Sequence, residues 1–218
     1  MSIQVTAKNF ASRNRKNQSE FRKHQLIEAT MDCIDRLGLS QTTLARIAER
    51  VGISQGNVVF HFHSKEALLE QTLRHLNNEY RSNWRTALAA AQPDAYSQLR
   101  ALVESSFKPK ICNRRKISVW FAFWGESRSR PTYMRICGDN DKAFSDQLLA
   151  LCQTIETEST TRLGSETAAL SLEGMIDGLW QNFLIGAPGF KRAQAIRAVF
   201  ELMDSIYPDR KGGDGAIA

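Results

Sequence analysis

Two groups of side chains in this 218-residue chain are spaced to do chemistry. The first is Ser54, Gln55, Gly56 and Asn57, the opening of a short helical stretch. The carboxamides of Gln55 and Asn57 each carry a donor beside an acceptor, the pattern that pairs with the edge of adenine. Gly56 has no side chain to hold a duplex backbone away. Free N–H groups at helix starts bind phosphate, and Thr43 and Ser54 stand at two such starts, with Lys65 close behind. The second group lies in SVWFAFWGES, Ser118 to Ser127, and LEGMIDGLWQNFL, Leu172 to Leu184. Trp120, Phe123, Trp124 and Ser127 share one helical face, and Asp177 stands one turn before Trp180. Aromatic faces with a carboxylate suit a quaternary ammonium, which donates no strong hydrogen bond and is held by cation–π contact at about 0.5–2 kcal/mol per ring. Aromatics at helical spacing also fill cores, and an aspartate there can simply pair with an arginine. Both readings stand at this stage. Glu126 and Tyr133 are further candidates for the second group.

These residues need elements to hold them, and the apolar periodicity supplies helices throughout. No long run alternates with period two, so the expected fold is all-α. Residues 1–18 are polar and basic and read as a flexible arm. Ser19 is the expected cap of a first helix, with Ile27, Met31, Ile34 and Leu37 on one face and Gly38 as its stop. Thr42 or Thr43 caps a second helix that ends at Gly52, and Ser54 caps a very short third one running to about His61. Ala48, Gly52, Ile53 and Val58 are small or apolar, as two short helices joined by a tight turn require. Ser64 caps a long fourth helix, with Leu69, Leu73, Leu76, Tyr80, Trp84 and Leu88 on one face until Pro93. Five more helices are expected, over Ala95–Phe107, Arg115–Ser127, Pro131–Leu163 with a bend near Gly138, Ser165–Ile185 and Lys191–Tyr207. The GGDG-containing tail, 209–218, is expected to be disordered.

Composition narrows the partners. The net charge is +6, and residues 1–65 hold 10 Lys and Arg against 5 Asp and Glu. The other residues hold 19 against 18, so the excess sits at one end. That asymmetry suits a polyanion, although a solvated basic tail would produce it too. Cys33, Cys112, Cys137 and Cys152 form no CxxC, and no histidine lies at zinc-ligand spacing, so reduced thiols, no metal and a cytoplasmic setting are expected. No apolar run is long enough for a membrane span. No phosphate-binding glycine loop and no Ser/His/Asp arrangement with a defined context is present. An enzyme is therefore not expected, and neither is a cofactor.

The stretch Thr42 to Leu69 resembles the DNA-binding region of the tetracycline-repressor-type (TetR) family. The matching residues are Thr43, Ile47, Ala48, Gly52, Ile53, Ser54, Gly56, Val58, His61, Phe62, Ser64, Lys65, Leu68 and Leu69. The resemblance implies a TetR-like fold: an N-terminal three-helix domain with a helix-turn-helix (19–66), and a C-terminal helical domain for ligand binding and dimerisation (67–208). It implies contacts to double-stranded DNA from Thr43, Ser54, Gln55, Asn57, Phe60, His61 and Lys65, with Gly56 allowing close approach. Val59 and His61 stand where many members carry tyrosines that touch phosphate, and Val59 has no hydrogen bond to donate. W-x-A-F-W followed by I-D-G-L-W is similar to the BetI group, choline-responsive repressors of glycine betaine synthesis. That similarity implies a homodimer on a pseudo-palindromic operator, released by choline or another quaternary amine bound near Trp120, Phe123, Trp124, Asp177 and Trp180. A regulator of the same type with a different ligand, or one whose body docks a protein, fits the same residues. The fourth helix is the expected lever between the two units, and Phe183, Ile196, Val199, Phe200, Met203 and Ile206 are the expected dimer surface.

Overall fold

The computed structural model describes residues 2–125, 131–186 and 190–210, with side chains from residue 17 onward. Among the described residues every regular element is helical. Helix α1 runs Ser2–Leu37, and it does not begin at the expected cap, Ser19. No Gly or Pro occurs before Gly38, so nothing in the chain interrupts the helix upstream of that serine. The expected arm is therefore helical in backbone from Ser2. Gly38 ends α1 at φ 79°, a left-handed conformation in which a side chain would be strained.

Helices α2 (Leu44–Val51), α3 (Gln55–Phe62) and α4 (Lys65–Ala90) follow. Their caps are the expected hydroxyls: Thr43 accepts from the Arg46 N–H, Ser54 from Asn57 and Ser64 from Ala67. Each such cap stabilises its helix by about 1 kcal/mol. Gly52, at φ 73°, closes α2 and turns the chain into α3. Then come α5 (Ala95–Ser106), α6 (Arg114–Gly125), α7 (Pro131–Glu158), α8 (Ser165–Leu184) and α9 (Arg192–Ile206). Helix α7 continues through Gly138 and stops at Glu158, short of the expected end. The chain beyond it is fastened to the C-terminal end instead: Arg162 N–H donates to Ile206 O at 2.9 Å, and Thr160 N–H to Asp209 at 3.3 Å. Pro208–Arg210 form a single 3-10 turn where a disordered tail was expected to have begun. The rest of that tail, Glu126 and Ser127 lie outside the described residues.

Two cores result. The smaller holds Leu26, Ala29 and Cys33 of α1 with Ile47, Ala48, Val58, Phe62 and Leu68. The larger takes Met31 and Ile34 from another face of α1, then Leu69, Leu73 and Leu76 of α4, and the apolar faces of α5 to α9. Helices α1 and α4 thus belong to both. All four cysteines are buried. Among the described residues no helix is long and apolar enough to cross a membrane.

Candidate DNA-reading surface and ligand cavity

Helix α3 buries Val58 and Phe62 in the smaller core and leaves Gln55, Gly56, Asn57, Val59 and Phe60 exposed. Ser54 and Thr43 are exposed at the helix starts, and Lys65 is half-buried at the start of α4. The residues proposed to touch DNA therefore lie at one end of the molecule, and none is consumed by the core. Phe60 is 76% exposed, a large apolar ring left in water, with the centroid of the neighbouring His61 ring 5.2 Å away. His61 is half-buried, and its pKa lies below the ordinary histidine value because of burial and the nearby charges of Lys23 and Arg22. It is neutral at pH 7 and still has one N–H to donate.

The second cluster forms a cavity of about 250 Å³. Its walls are Tyr80 of α4, Trp120 and Trp124 of α6, Asp141 and Phe144 of α7, and Glu173, Ile176, Asp177 and Trp180 of α8. Four of the five residues singled out from the sequence meet there. Phe123 does not: it is 5% exposed and packs in the core, as aromatics at helical spacing usually do. The rings meet edge to face, with Tyr80 5.8 Å from Trp180 and 6.4 Å from Trp120. Trp180 Nε1 donates to Ser106 O at 3.0 Å, which fixes the indole against α5. Trp124 Nε1 donates to the Tyr133 hydroxyl, which in turn donates to Asp141 at 3.2 Å. Tyr133 orients a wall and is not itself a lining residue.

Three carboxylates face this space. Asp141 is pushed up to about 6, mainly by burial, with Glu173 adding repulsion and the Tyr133 hydrogen bond opposing both. Asp177 is also pushed up to about 6, by its packed surroundings and then by Glu173 and Asp141. The residue nonetheless keeps an exposed surface. Among the described residues no Lys or Arg pairs with Asp177, Asp141 or Glu173. Glu173 instead accepts from Ser145 Oγ at 2.6 Å. Among the described residues the cavity is an electron-rich box with no Lys or Arg in its lining.

Sequence reasoning missed Tyr80, Asp141, Phe144, Glu173 and Ile176. Glu173 was findable: it stands four residues before Asp177 and seven before Trp180, on the same helix face. Asp141 and Phe144 come from α7, whose packing against α4 and α8 is set by tertiary contacts alone.

The start of α6 is tied to the DNA-reading unit. Arg115 donates to Glu28 at 2.6 Å and to Asp32 at 2.9 Å, both on α1, and Asp32 also binds Arg50 of α2 at 2.8 Å. Lys116 pairs with Glu79 of α4. One helix therefore carries Trp120 and Trp124 in the cavity and Arg115 on α1.

An all-helical body with a cavity lined by aromatics and carboxylates, joined to a helix-turn-helix, defines a ligand-responsive DNA-binding transcriptional regulator. Comparison with known proteins gives the branch. Residues 26–72 match the family described as bacterial regulatory proteins, tetR family, and residues 95–208 match BetI-type transcriptional repressor, C-terminal. The chain is 37% identical over 189 residues to the HTH-type transcriptional regulator BetI of Paraburkholderia phymatum, covering 86% of this chain and 93% of the relative. It is 33% identical over 192 residues to BetI of Paraburkholderia xenovorans, covering 88% and 96%. Among solved structures, a transcriptional regulator from Pseudomonas aeruginosa aligns at TM-score 0.71 and 26% identity, over 85% of this chain and 89% of that one. One from Saccharomonospora viridis, in complex with choline, aligns at TM-score 0.75 and 23% identity, over 85% and 96%. The chain belongs to the TetR family of regulators, in its BetI-type branch.

Proposed function

We propose that this regulator is a repressor that leaves its operator when choline, or a similarly small quaternary amine, enters the cavity of the body. The observation that carries the reading is the lining itself: three tryptophans and three carboxylates around one space. A trimethylammonium group has no strong donor, so rings and diffuse negative charge are what can hold it. The volume also suits it. A cavity of 250 Å³ holds the equivalent of roughly eight waters at about 30 Å³ each, and choline has about seven non-hydrogen atoms. The BetI relatives and the choline-bound structure of the same fold point the same way.

Release follows if the ligand prefers a body in which α6 has shifted. A ligand pressing on Trp120 and Trp124 acts on the same rigid helix whose start grips Glu28 and Asp32. Helix α4 contributes as well, since Tyr80 lines the cavity and Leu68 sits in the smaller core. The proposed operator contacts remain Thr43, Ser54, Gln55, Gly56, Asn57, Phe60, His61 and Lys65.

The repressor is proposed to act as a homodimer through α8 and α9. Val199, Phe200, Met203 and Ile206 are buried within the single chain, so they are not the outward surface. The outward apolar surface that supports this dimer lies along α8 and its C-cap, where Leu170 and Ile185 are 73% and 68% exposed and flank Gly174 and Gly178, which face open space. Bare helix backbone between two apolar side chains lets a second copy approach closely.

The three carboxylates favour a second reading, a ligand with two cationic ends. Calorimetry on the full chain with choline, glycine betaine and a short α,ω-diamine decides between them. Saturable choline binding that also releases operator DNA supports the first reading. Diamine binding alone supports the second, and heat from none of them leaves the body as a protein-docking unit.

A further inference from the structure

All four histidines of the chain, His24, His61, His63 and His75, line one open cleft. The cleft lies where α1 passes the α3–α4 joint, between the two cores. His63 itself occupies that joint at φ 66°, a conformation uncommon for a residue with a side chain. Within the cleft two of the imidazoles converge on a carboxylate. Glu28 Oε1 is 3.9 Å from His24 Nε2 and 3.9 Å from His75 Nε2. The rings of His24 and His75 stand edge to face with centroids 5.4 Å apart. All three ligand atoms lie within 4.8 Å of one another.

We propose that His24 Nε2, Glu28 Oε1 and His75 Nε2 form a binding site for a borderline divalent transition-metal ion, of the Zn²⁺ or Co²⁺ type, that clamps α1 to α4 beside the DNA-reading unit. The donor set fixes the class. Two imidazole nitrogens with one carboxylate oxygen suit Zn²⁺, Co²⁺ or Ni²⁺, and are poor partners for Mg²⁺ or Ca²⁺, which take oxygen. The four thiols are buried and do not compete. Ligands bound to a tetrahedral ion at about 2.0–2.1 Å stand roughly 3.3–3.4 Å apart, so closure needs only about half an ångström at each histidine–glutamate pair. The exposed His24 can supply it. The open side of the cleft leaves room for water to complete the shell.

The surroundings are built for this. Glu28 divides its oxygens: Oε2 accepts from Arg115 at 2.6 Å, which orients the carboxylate, and Oε1 is left to the histidines. An outer partner of this kind is what steadies a metal ligand. His75 is half-buried, so its ring is held by packing while its Nε2 faces Glu28. Lys23, the cation in the cleft, is paired with Glu20 at 3.1 Å. The spacing escapes sequence inspection because His24 and Glu28 lie one turn apart on α1 while His75 arrives from α4.

The test uses the full chain without a polyhistidine tag, stripped of metal with a chelator. Equilibrium dialysis and calorimetry with Zn²⁺ and Co²⁺ should give one ion per chain, with a ligand-field band in the visible spectrum for Co²⁺, and none with Mg²⁺. His24→Ala, His75→Ala and Glu28→Gln should each weaken binding by at least roughly tenfold, the least that even an outer partner contributes. His61→Ala should leave it unchanged. His24 is exposed, so its variant tests the site even if the His75 variant folds poorly. Failure of the parent chain to take up either ion would overturn the proposal. So would uptake that persists in the His24→Ala, His75→Ala double variant.

Discussion

Replacing Asp177 by Asn is the sharpest probe of the cavity. The change keeps the shape of the side chain and removes its charge. No described Lys or Arg depends on that carboxylate, and Glu173 and Asp141 repel it, so the variant should fold at least as well as the parent. The effect on a bound cation follows from Coulomb's law. At a separation of about 5 Å and an effective dielectric of roughly 40–80 for a water-reached wall, one charge contributes about 0.8–1.7 kcal/mol. That is about a 4- to 17-fold rise in the dissociation constant for choline. Glu173 and Asp141 remain and keep the loss from being larger. The assay is calorimetry with choline and with its neutral carbon isostere, in which a tert-butyl group replaces trimethylammonium. The isostere should bind parent and variant alike. Unchanged choline affinity in Asp177→Asn would refute the electrostatic reading of this cavity. Equal weakening of both ligands would assign Asp177 a role in shape and not in charge.

Choline affinity should be greatest above about pH 7 and fall as the pH drops through 6, because Asp141 and Asp177 are both pushed up to about 6 and only their ionised forms attract a cation. Stability of the ligand-free protein runs the other way. A raised carboxyl contributes stability that is present below the ordinary aspartate value of 3.8 and is lost as pH rises through about 6. Choline should therefore raise the melting temperature more at pH 7 than at pH 5, measured by scanning calorimetry. Asn57→Ala should weaken operator binding by roughly 1–3 kcal/mol and relax base preference at one position per half-site, read by a mobility-shift series over operator variants. Arg115→Met should leave choline binding intact while suppressing choline-driven release, because it cuts the ion pairs from α6 to Glu28 and Asp32. Typical coupling of 1–3 kcal/mol corresponds to roughly 5–150-fold in operator affinity, and the variant should keep little of it.

The caps and stops were legible because they are local. Thr43, Ser54 and Ser64 each accept the N–H three residues on, and Gly38 and Gly52 each take the left-handed turn that their position implies. The exposed face of α3 was legible for the same reason, since burying Val58 and Phe62 turns Asn57 and Phe60 outward, and Gln55 is left open as the first residue of the helix. The cavity was legible only in part. Trp120, Trp124, Asp177 and Trp180 announce themselves by type and spacing, and Phe123 shares their spacing yet points into the core. Which aromatic faces a void depends on how α6 packs against α8, and periodicity within one helix does not contain that. The same limit hid Asp141 on α7 and the meeting of His75 with His24. It also misplaced the start of α1, because a good cap at Ser19 does not end a helix that no residue upstream interrupts.

The cavity has an optical consequence. The chain has 4 tryptophans. Trp120, Trp124 and Trp180 line the cavity, and Trp84 packs 6.1 Å from Phe144, which lines it too. Residues 1–83, with the whole helix-turn-helix, contain none. Ultraviolet emission excited at the indole band thus comes only from the sensing body, and the DNA-reading unit is dark. An arriving cation over those rings should quench or shift the emission directly, without a label, and DNA added to the unliganded protein should change it only to the extent that the body itself moves. The same steady-state trace then reports occupancy of one site and, through DNA alone, the conformational traffic between the two.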